Sequence, residues 1–245
     1  MHPIVKELLK TVAEEKLENK KEAVAMAAIT AIKKLQQIRQ SEAAVCQEFS
    51  SVSPDNKIEL PEKISLDEKN EYGDTALILA ADKGHTAIAT KLIDEKAALD
   101  IKNNNGDTAL ILAADKGHTA IATKLIDETK LIDEKAALDI KNNNGETALI
   151  CAAAQGHTAI AKKLIDEKAA LDIKNNNGNT ALILAADKGH TTIATKLIDE
   201  KAALDIQGQH GNTALILAAD KGHTAIATKL IDKKAALDIQ GQQGF

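Results

Sequence analysis

Five histidines, His85, His118, His157, His190 and His223, each follow a glycine in a Lys-Gly-His or Gln-Gly-His tripeptide. Imidazoles that recur in this way invite a metal-binding reading. Stacked helix layers lie about 8–10 Å apart, however, and a metal ion is held at about 2 Å. Equivalent histidines of neighbouring layers therefore cannot share an ion, and each ring is expected to bond backbone at a helix–helix turn instead. The two cysteines, Cys46 and Cys151, are far apart, and neither has a second cysteine at metal or redox spacing. This usage fits a reducing compartment. Cys151 stands where other copies of its surrounding phrase carry Leu79, Leu112, Leu184 and Leu217, so it reads as a small buried hydrophobe, with a reactive thiol as the alternative. No Ser-His-Asp grouping, phosphate-cradling glycine motif or zinc-spaced Cys/His cluster occurs. Neither enzymatic activity nor a cofactor or metal is expected.

These residues sit inside a repeated phrase, seen in one copy as Gly106-Asp107-Thr108-Ala109-Leu110-Ile111-Leu112-Ala113-Ala114-Asp115-Lys116-Gly117-His118. Its leading glycines are Gly73, Gly106, Gly145, Gly178 and Gly211, at separations of 33, 39, 33 and 33 residues. A fixed period of that size marks a solenoid of stacked units, each contacting only its neighbours. Within one unit, Asn103-Asn104-Asn105-Gly106 reads as a turn, because Asn tolerates and Gly freely accepts left-handed backbone. Thr108 is placed to cap a short helix of good helix formers that Gly117 ends. A second helix follows from Thr119, with Ile121, Ala122, Leu125 and Ile126 on one stripe. The pair cannot bury that stripe alone, so stacking is obligatory. Leu99-Asp100-Ile101-Lys102 alternates apolar and polar residues and should be extended, projecting the turns as fingers.

The period and the phrase Thr108-Ala109-Leu110-Ile111-Leu112-Ala113 resemble the ankyrin repeat family, whose signature is Thr-Pro-Leu-His-x-Ala. The fold class implied is all-α, an ankyrin-like helix-turn-helix solenoid with β-turn fingers, preceded by an α-helical N-terminal cap. Two departures recur in all five copies. Ala109 and its equivalents replace the family's Pro, which makes the helix start less rigid, and Ile111 and its equivalents replace the family's His, which makes the interior drier. Where the family ends its second helix with Gly, this chain has Lys96, Lys135, Lys168, Lys201 and Lys234. A left-handed lysine costs roughly 1 kcal/mol or more, so these helices are expected to run on through the following Ala-Ala.

The resemblance also implies a concave surface, lined by fingertips and first helices, that binds a partner protein. In the second unit the matching positions are Lys102, Asn104, Asn105, Asp107, Asp115 and Lys116. In the other units the set comprises Tyr72, Asp74, Asn143, Asn144, Asn176, Asn177, Gln209 and His210, with the pairs Asp82-Lys83, Asp187-Lys188 and Asp220-Lys221. Ala154-Gln155 interrupts the Asp-Lys series. A solvated charged face of little energetic weight is the plain reading of the pairs, and a neutral patch between charged ladders is the sharper one. Aromatic residues dominate binding hot spots, and Tyr72 is the single tyrosine. It is either the best contact residue or a packing contact with the N-terminal segment.

Domain limits follow: residues 1–50 form a helical cap region, 51–69 a linker and half-repeat, and 70–245 the array. The units are 70–102, 103–141, 142–174, 175–207 and 208–240, with 241–245 a partial sixth. Two amphipathic helices are expected in 1–50, beginning near Pro3 and Glu22, serving as a cap or a separate partner-binding hairpin. In the second unit, Thr123-Lys124-Leu125-Ile126-Asp127-Glu128 is copied as Thr129-Lys130-Leu131-Ile132-Asp133-Glu134. This insertion, 129–134, is expected either to lengthen the second helix and offset the stack or to loop out. The fifth unit keeps the apolar stripe of the interior units, so the chain is expected to be a fragment of a longer array or to self-associate end to end.

Composition excludes other classes. Hydrophobic residues make up 44% but aromatic ones only 1%, so the core must be built of Ala, Leu and Ile. A net charge of −5 with both signs interleaved argues against nucleic acid. No apolar run reaches membrane-spanning length and no signal-peptide layout appears, so a cytoplasmic location, or secretion into a host cell without a cleavable signal, is expected. The reading is a non-enzymatic scaffold for an unknown protein partner. Its rivals are a host-directed bacterial effector that uses residues 1–50 to recruit a second protein, and a structural repeat module without a fixed ligand. A single arginine, Arg39, amid abundant Lys, Asn and Ile suits the AT-rich coding of some intracellular bacteria.

Overall fold

The computed structural model describes residues 66–131 and 135–241. The expected helices of residues 1–50, Cys46, residues 51–65 of the linker and half-repeat, Ile132, and residues 242–245 of the partial sixth unit lie outside these residues.

Each unit contributes an inner and an outer helix. The inner helices are α1 (Ala76–Lys83), α3 (Ala109–Lys116), α6 (Ala148–Gln155), α8 (Ala181–Lys188) and α10 (Ala214–Asp220). The outer helices are α2 (Thr86–Asp94), α4 (Thr119–Leu131), α7 (Thr158–Asp166), α9 (Thr191–Asp199) and α11 (Thr224–Asp232), and a short α5 (Lys135–Leu138) follows α4. Inner helices pack on inner helices along the array, outer on outer, and each helix also packs on its partner within the unit.

Helices this short are marginal in isolation and depend on capping and packing. The Thr75 hydroxyl accepts from the Ile78 N–H at 3.3 Å, and Thr108, Thr147, Thr180 and Thr213 do the same for Ile111, Ile150, Ile183 and Ile216. These threonines are buried, and the bond satisfies a helix-terminal donor that water cannot reach. Gly84, at φ 74, closes α1 by donating its N–H to the Ala80 carbonyl. Behind the caps, Ala81, Ala89, Ala113, Ala114, Ala152 and Ala153 are fully buried between layers, interleaved with Leu77, Ile78, Leu125, Leu149 and Leu164. The near absence of aromatics is thus met by thin layers of small and branched side chains.

In the second unit Lys135 and the Ala-Ala pair after it are helical, within α5, but the outer helices of the other four units do not run on through that pair. They stop at Asp94, Asp166, Asp199 and Asp232, and Lys96, Lys168, Lys201 and Lys234 each take φ 67, in the left-handed region. Lys96 donates its N–H to the Ile93 carbonyl at 2.9 Å and Ala97 to the Leu92 carbonyl at 3.0 Å, the two bonds of a Schellman closure. The turn also carries Ala97, Ala169, Ala202 and Ala235 into the core, at 3–5% exposure. Two hydrogen bonds and a buried methyl outweigh the strain of one left-handed lysine, which is why the sequence expectation failed here.

The insertion shows the opposite choice for a physical reason. Thr129 occupies the position of Lys96, and a β-branched residue tolerates left-handed backbone far less well than lysine does. The helix continues instead: α4 spans 13 residues where its counterparts span 9, and the buried Thr129 donates its hydroxyl to the Ile126 carbonyl at 2.8 Å. The stack around it is not offset. Asn143 donates its backbone N–H to the Asn105 carbonyl at 2.9 Å across the boundary that holds the insertion, and Asn176 to the Asn144 carbonyl at 2.9 Å across the next boundary. Lys163 reaches Asp127 at 2.7 Å as Lys196 reaches Asp166 at 2.8 Å. The first copy of the hexapeptide keeps the regular register, and Thr129–Leu131 extend the helix past it.

Candidate protein-binding face

The side of the array formed by the fingers and the inner-helix ends carries the candidate positions. Each regular finger is closed by an asparagine. The Asn103 carboxamide oxygen accepts from the N–H groups of Asn105 (3.0 Å) and Asp107 (2.9 Å), and Gly106 donates to the Asn103 carbonyl at 2.9 Å. Asn142 and Asn175 close their fingers in the same way. Gly106, not an asparagine, takes the left-handed conformation, at φ 78. The asparagines are there for their side-chain bonds rather than for backbone tolerance.

Fingers are also tied to one another. The Asn104, Asn143 and Asn176 amides donate to the carbonyls of Glu71 (3.0 Å), Asn104 (3.0 Å) and Asn143 (2.8 Å). Half-buried Asp74 and Asp107 accept from the Asn103 and Asn142 amides, each at 2.9 Å. Burial raises the Asp107 carboxyl above the ordinary carboxylate range, with the Asn142 bond opposing it. Lys69, Lys102 and Lys141 reach forward to the carbonyls of Lys102 (2.8 Å), Lys141 (2.8 Å) and Lys174 (2.9 Å). Among the proposed contact residues, then, Lys102, Asn104, Asn143, Asn176, Asp74 and Asp107 all hold the stack. The periodic recurrence of Lys and Asn at one offset was the sequence signal for this role.

Exposed tips remain. Tyr72, Asn105, Asn144, Asn177 and His210 occupy equivalent positions, and all are exposed, Tyr72 at 63%. The Asn105, Asn144 and Asn177 amides hold no side-chain hydrogen bond among the described residues. The fifth finger differs. Gly208 replaces the closing asparagine, a 3-10 turn forms over Gln209–Gly211, and His210 takes φ 59. Here the Gln209 N–H donates to the Asn179 carboxamide oxygen of the preceding unit at 3.1 Å, where the equivalent N–H groups of Asn143 and Asn176 donate to a backbone carbonyl of the preceding finger.

At the inner-helix ends the Asp-Lys pairs close as local salt bridges: Asp82–Lys83 at 2.7 Å, Asp115–Lys116 at 2.9 Å, Asp187–Lys188 at 3.4 Å and Asp220–Lys221 at 3.2 Å. Ala154-Gln155 is not an empty gap, because Gln155 donates to the Asp115 carboxylate of the preceding unit at 2.9 Å. Burial alone would raise the Asp115 pKa, but bonds from Lys116 and Gln155 outweigh it and hold the carboxyl below its usual range.

Just behind these ends lie the histidines. The Nε2 atoms of His118, His157, His190 and His223 stand 3.2, 3.0, 3.2 and 3.2 Å from the carbonyls of Asp82, Asp115, Ala154 and Asp187. The ring does bond backbone, but of the neighbouring unit. Each ring lies over the preceding unit's helix-ending glycine: a Cβ on Gly84, Gly117, Gly156 or Gly189 would sit 2.5–2.6 Å from it. Those glycines are therefore required twice, for left-handed backbone and for room. Cys151, 6% exposed, is held as a neutral thiol, its pKa raised by burial and by nearby Glu146, Asp115 and Asp107.

A finger, an inner helix capped by threonine, a glycine stop and a histidine locked onto the unit before it is one module repeated along the chain. The family model for ankyrin repeats matches in three copies, over residues 55–135, 129–209 and 159–243. The chain is an ankyrin repeat protein. No curated protein matches its sequence. Ankyrin repeats are generally protein–protein interaction modules, typically non-enzymatic scaffolds. Among the described residues of this ankyrin protein, no helix is long and apolar enough to cross a membrane.

Proposed function

We propose that the array is a non-enzymatic scaffold that binds a partner protein across its exposed fingertips and inner-helix ends, the concave side in the ankyrin arrangement. The observation that carries this reading is the division of labour along the fingers. One position of each tip is consumed in finger-to-finger bonds, while its neighbour, at Tyr72, Asn105, Asn144, Asn177 and His210, is exposed. Tyr72 anchors the contact: its ring is solvent-exposed while its backbone is fixed by an N–H bond to Asn70 at 2.9 Å and a carbonyl bond from Asn104 at 3.0 Å. A rigidly held, exposed aromatic offers apolar area at low entropic cost.

The test is affinity capture with the full chain and with Tyr72→Ala and Asp115→Lys. A partner retained by the wild type and lost with both variants supports the scaffold reading. Retention of the same partner by both variants would overturn this face as the site and favour residues 1–50 as the recruiting segment.

A further inference from the structure

We infer that Asn177 is a chemical modification site: it converts to aspartate or isoaspartate through attack of the Gly178 nitrogen on its carboxamide, faster than its equivalents Asn105 and Asn144. Asparagine is a thermolabile residue, and a following glycine, with no Cβ, leaves the attacking nitrogen unhindered. The asparagines of this chain that precede a glycine are Asn105, Asn144 and Asn177, each the last of an identical Asn-Asn-Asn-Gly finger. All three are exposed, and none holds its amide in a side-chain hydrogen bond among the described residues. Local sequence therefore makes them equally reactive, and only the stack separates them.

To react, the Asn-Gly peptide must rotate out of its turn, so whatever holds that peptide slows the attack. In all three fingers the glycine N–H donates to the carbonyl of the closing asparagine at 2.9 Å. The other side of the peptide differs. The Asn105 and Asn144 carbonyls accept the N–H groups of Asn143 and Asn176 in the following finger, each at 2.9 Å. The Asn177 carbonyl accepts none among the described residues, because Gln209 donates to Asn179 instead. Packing agrees. Gly106 and Gly145 are buried, and a Cβ on either would lie 2.5–2.6 Å from the next finger's asparagine oxygen, whereas Gly178 is half-buried and its Cβ would come no nearer than 3.5 Å, to Gly208. With one bond fewer and more room, this finger opens most readily.

Once it opens, the Gly178 nitrogen gives its proton to hydroxide and bonds to Asn177 Cγ, and Nδ2 takes a proton and leaves as ammonia. Water opens the cyclic imide at Cγ or at the backbone carbonyl carbon, breaking that carbon's bond to nitrogen, which regains its proton. Water is consumed, ammonia is released and nothing is oxidised. A carboxylate replaces a neutral amide at the fourth fingertip. Its effect on a partner rests on the binding face proposed above, but the reaction itself does not.

Peptide mass spectrometry on the full chain, incubated at mildly alkaline pH both folded and in guanidinium chloride, tests this. The three finger peptides are told apart by Asp107, Glu146 and Asn179, and fragmentation assigns the converted residue. In the folded chain Asn177 should convert roughly fivefold faster than Asn105 and Asn144, the equivalent of one net backbone hydrogen bond. In guanidinium chloride the three rates should converge. Asn179→Asp combined with Gly208→Asn recreates the pairing of Asp107 with Asn142, and in a chain with an unchanged far-ultraviolet CD spectrum it should slow Asn177 to the rate of Asn105. Equal rates in the folded chain, a faster Asn105 or Asn144, or a lead of Asn177 that persists undiminished in guanidinium chloride would each overturn the inference.

Discussion

Lys201 holds a left-handed conformation at φ 67, is exposed, and makes no ion pair with Lys233, the residue that stands where Glu128 and Glu200 serve Lys96 and Lys168. Glycine at this position should therefore stabilise the array. A non-glycine residue in this region costs about 1–2 kcal/mol, and glycine returns about 0.5–1 kcal/mol of that through the larger entropy of its unfolded chain. The net gain expected for Lys201→Gly is about 0.5–1 kcal/mol, or roughly 1–4 °C in a chain of this size. Lys201→Ala is the internal control, because alanine keeps the Cβ that causes the strain and should not stabilise. Lys168→Gly should gain less than Lys201→Gly, since it also removes the 3.3 Å pair with Glu200, a surface contact of about 0.2–1 kcal/mol. Urea unfolding followed by CD, with the slope compared among variants, measures all three. Equal stabilisation by Lys201→Ala and Lys201→Gly, or destabilisation by glycine, would refute the strain argument.

Gly189→Ala meets both a left-handed backbone and the His223 ring at 2.5 Å, whereas Gly222→Ala meets only the backbone requirement. Alanine at Gly189 should be the more destabilising by about 1 kcal/mol, and adding His223→Ala should remove most of the difference; additive losses would argue against the ring contact. Deleting residues 129–134 restores the 33-residue period and should preserve the stack, because the bonds across that boundary already match its neighbours. A loss of more than about 1 kcal/mol in chemical unfolding would show that the extended α4 helps hold the array. Cys151 should resist alkylation in the native protein and react on unfolding, as read by peptide mass spectrometry; rapid native labelling would contradict its burial.

Most of the architecture was legible in local pattern. Thr108, Gly117 and the Ile121–Leu125 stripe specify cap, stop and buried face through short-range rules, and the 33-residue recurrence says that the units stack. The functional face was legible only in outline. Asn104 and Asn105 are neighbours of identical chemistry, and nothing in their types says that one amide bonds the preceding finger while the other faces solvent. That assignment depends on which neighbour lies across the boundary.

The clearest contrast lies at the ends of the outer helices. From the sequence, lysine is a poor left-handed residue and alanine a good helix former, so propensity favours a longer helix. Tertiary structure reverses the choice at Lys96, Lys168, Lys201 and Lys234, because only the assembled stack offers a core site for the next alanine. At Thr129 the same context meets a β-branched residue, and the helix continues. Sequence alone determined the repeat, its caps and the composition of its core, since those follow from contacts within a few residues. Which polar groups hold the units together and which stay exposed was decided only by stacking, since each bond joins residues about one period apart.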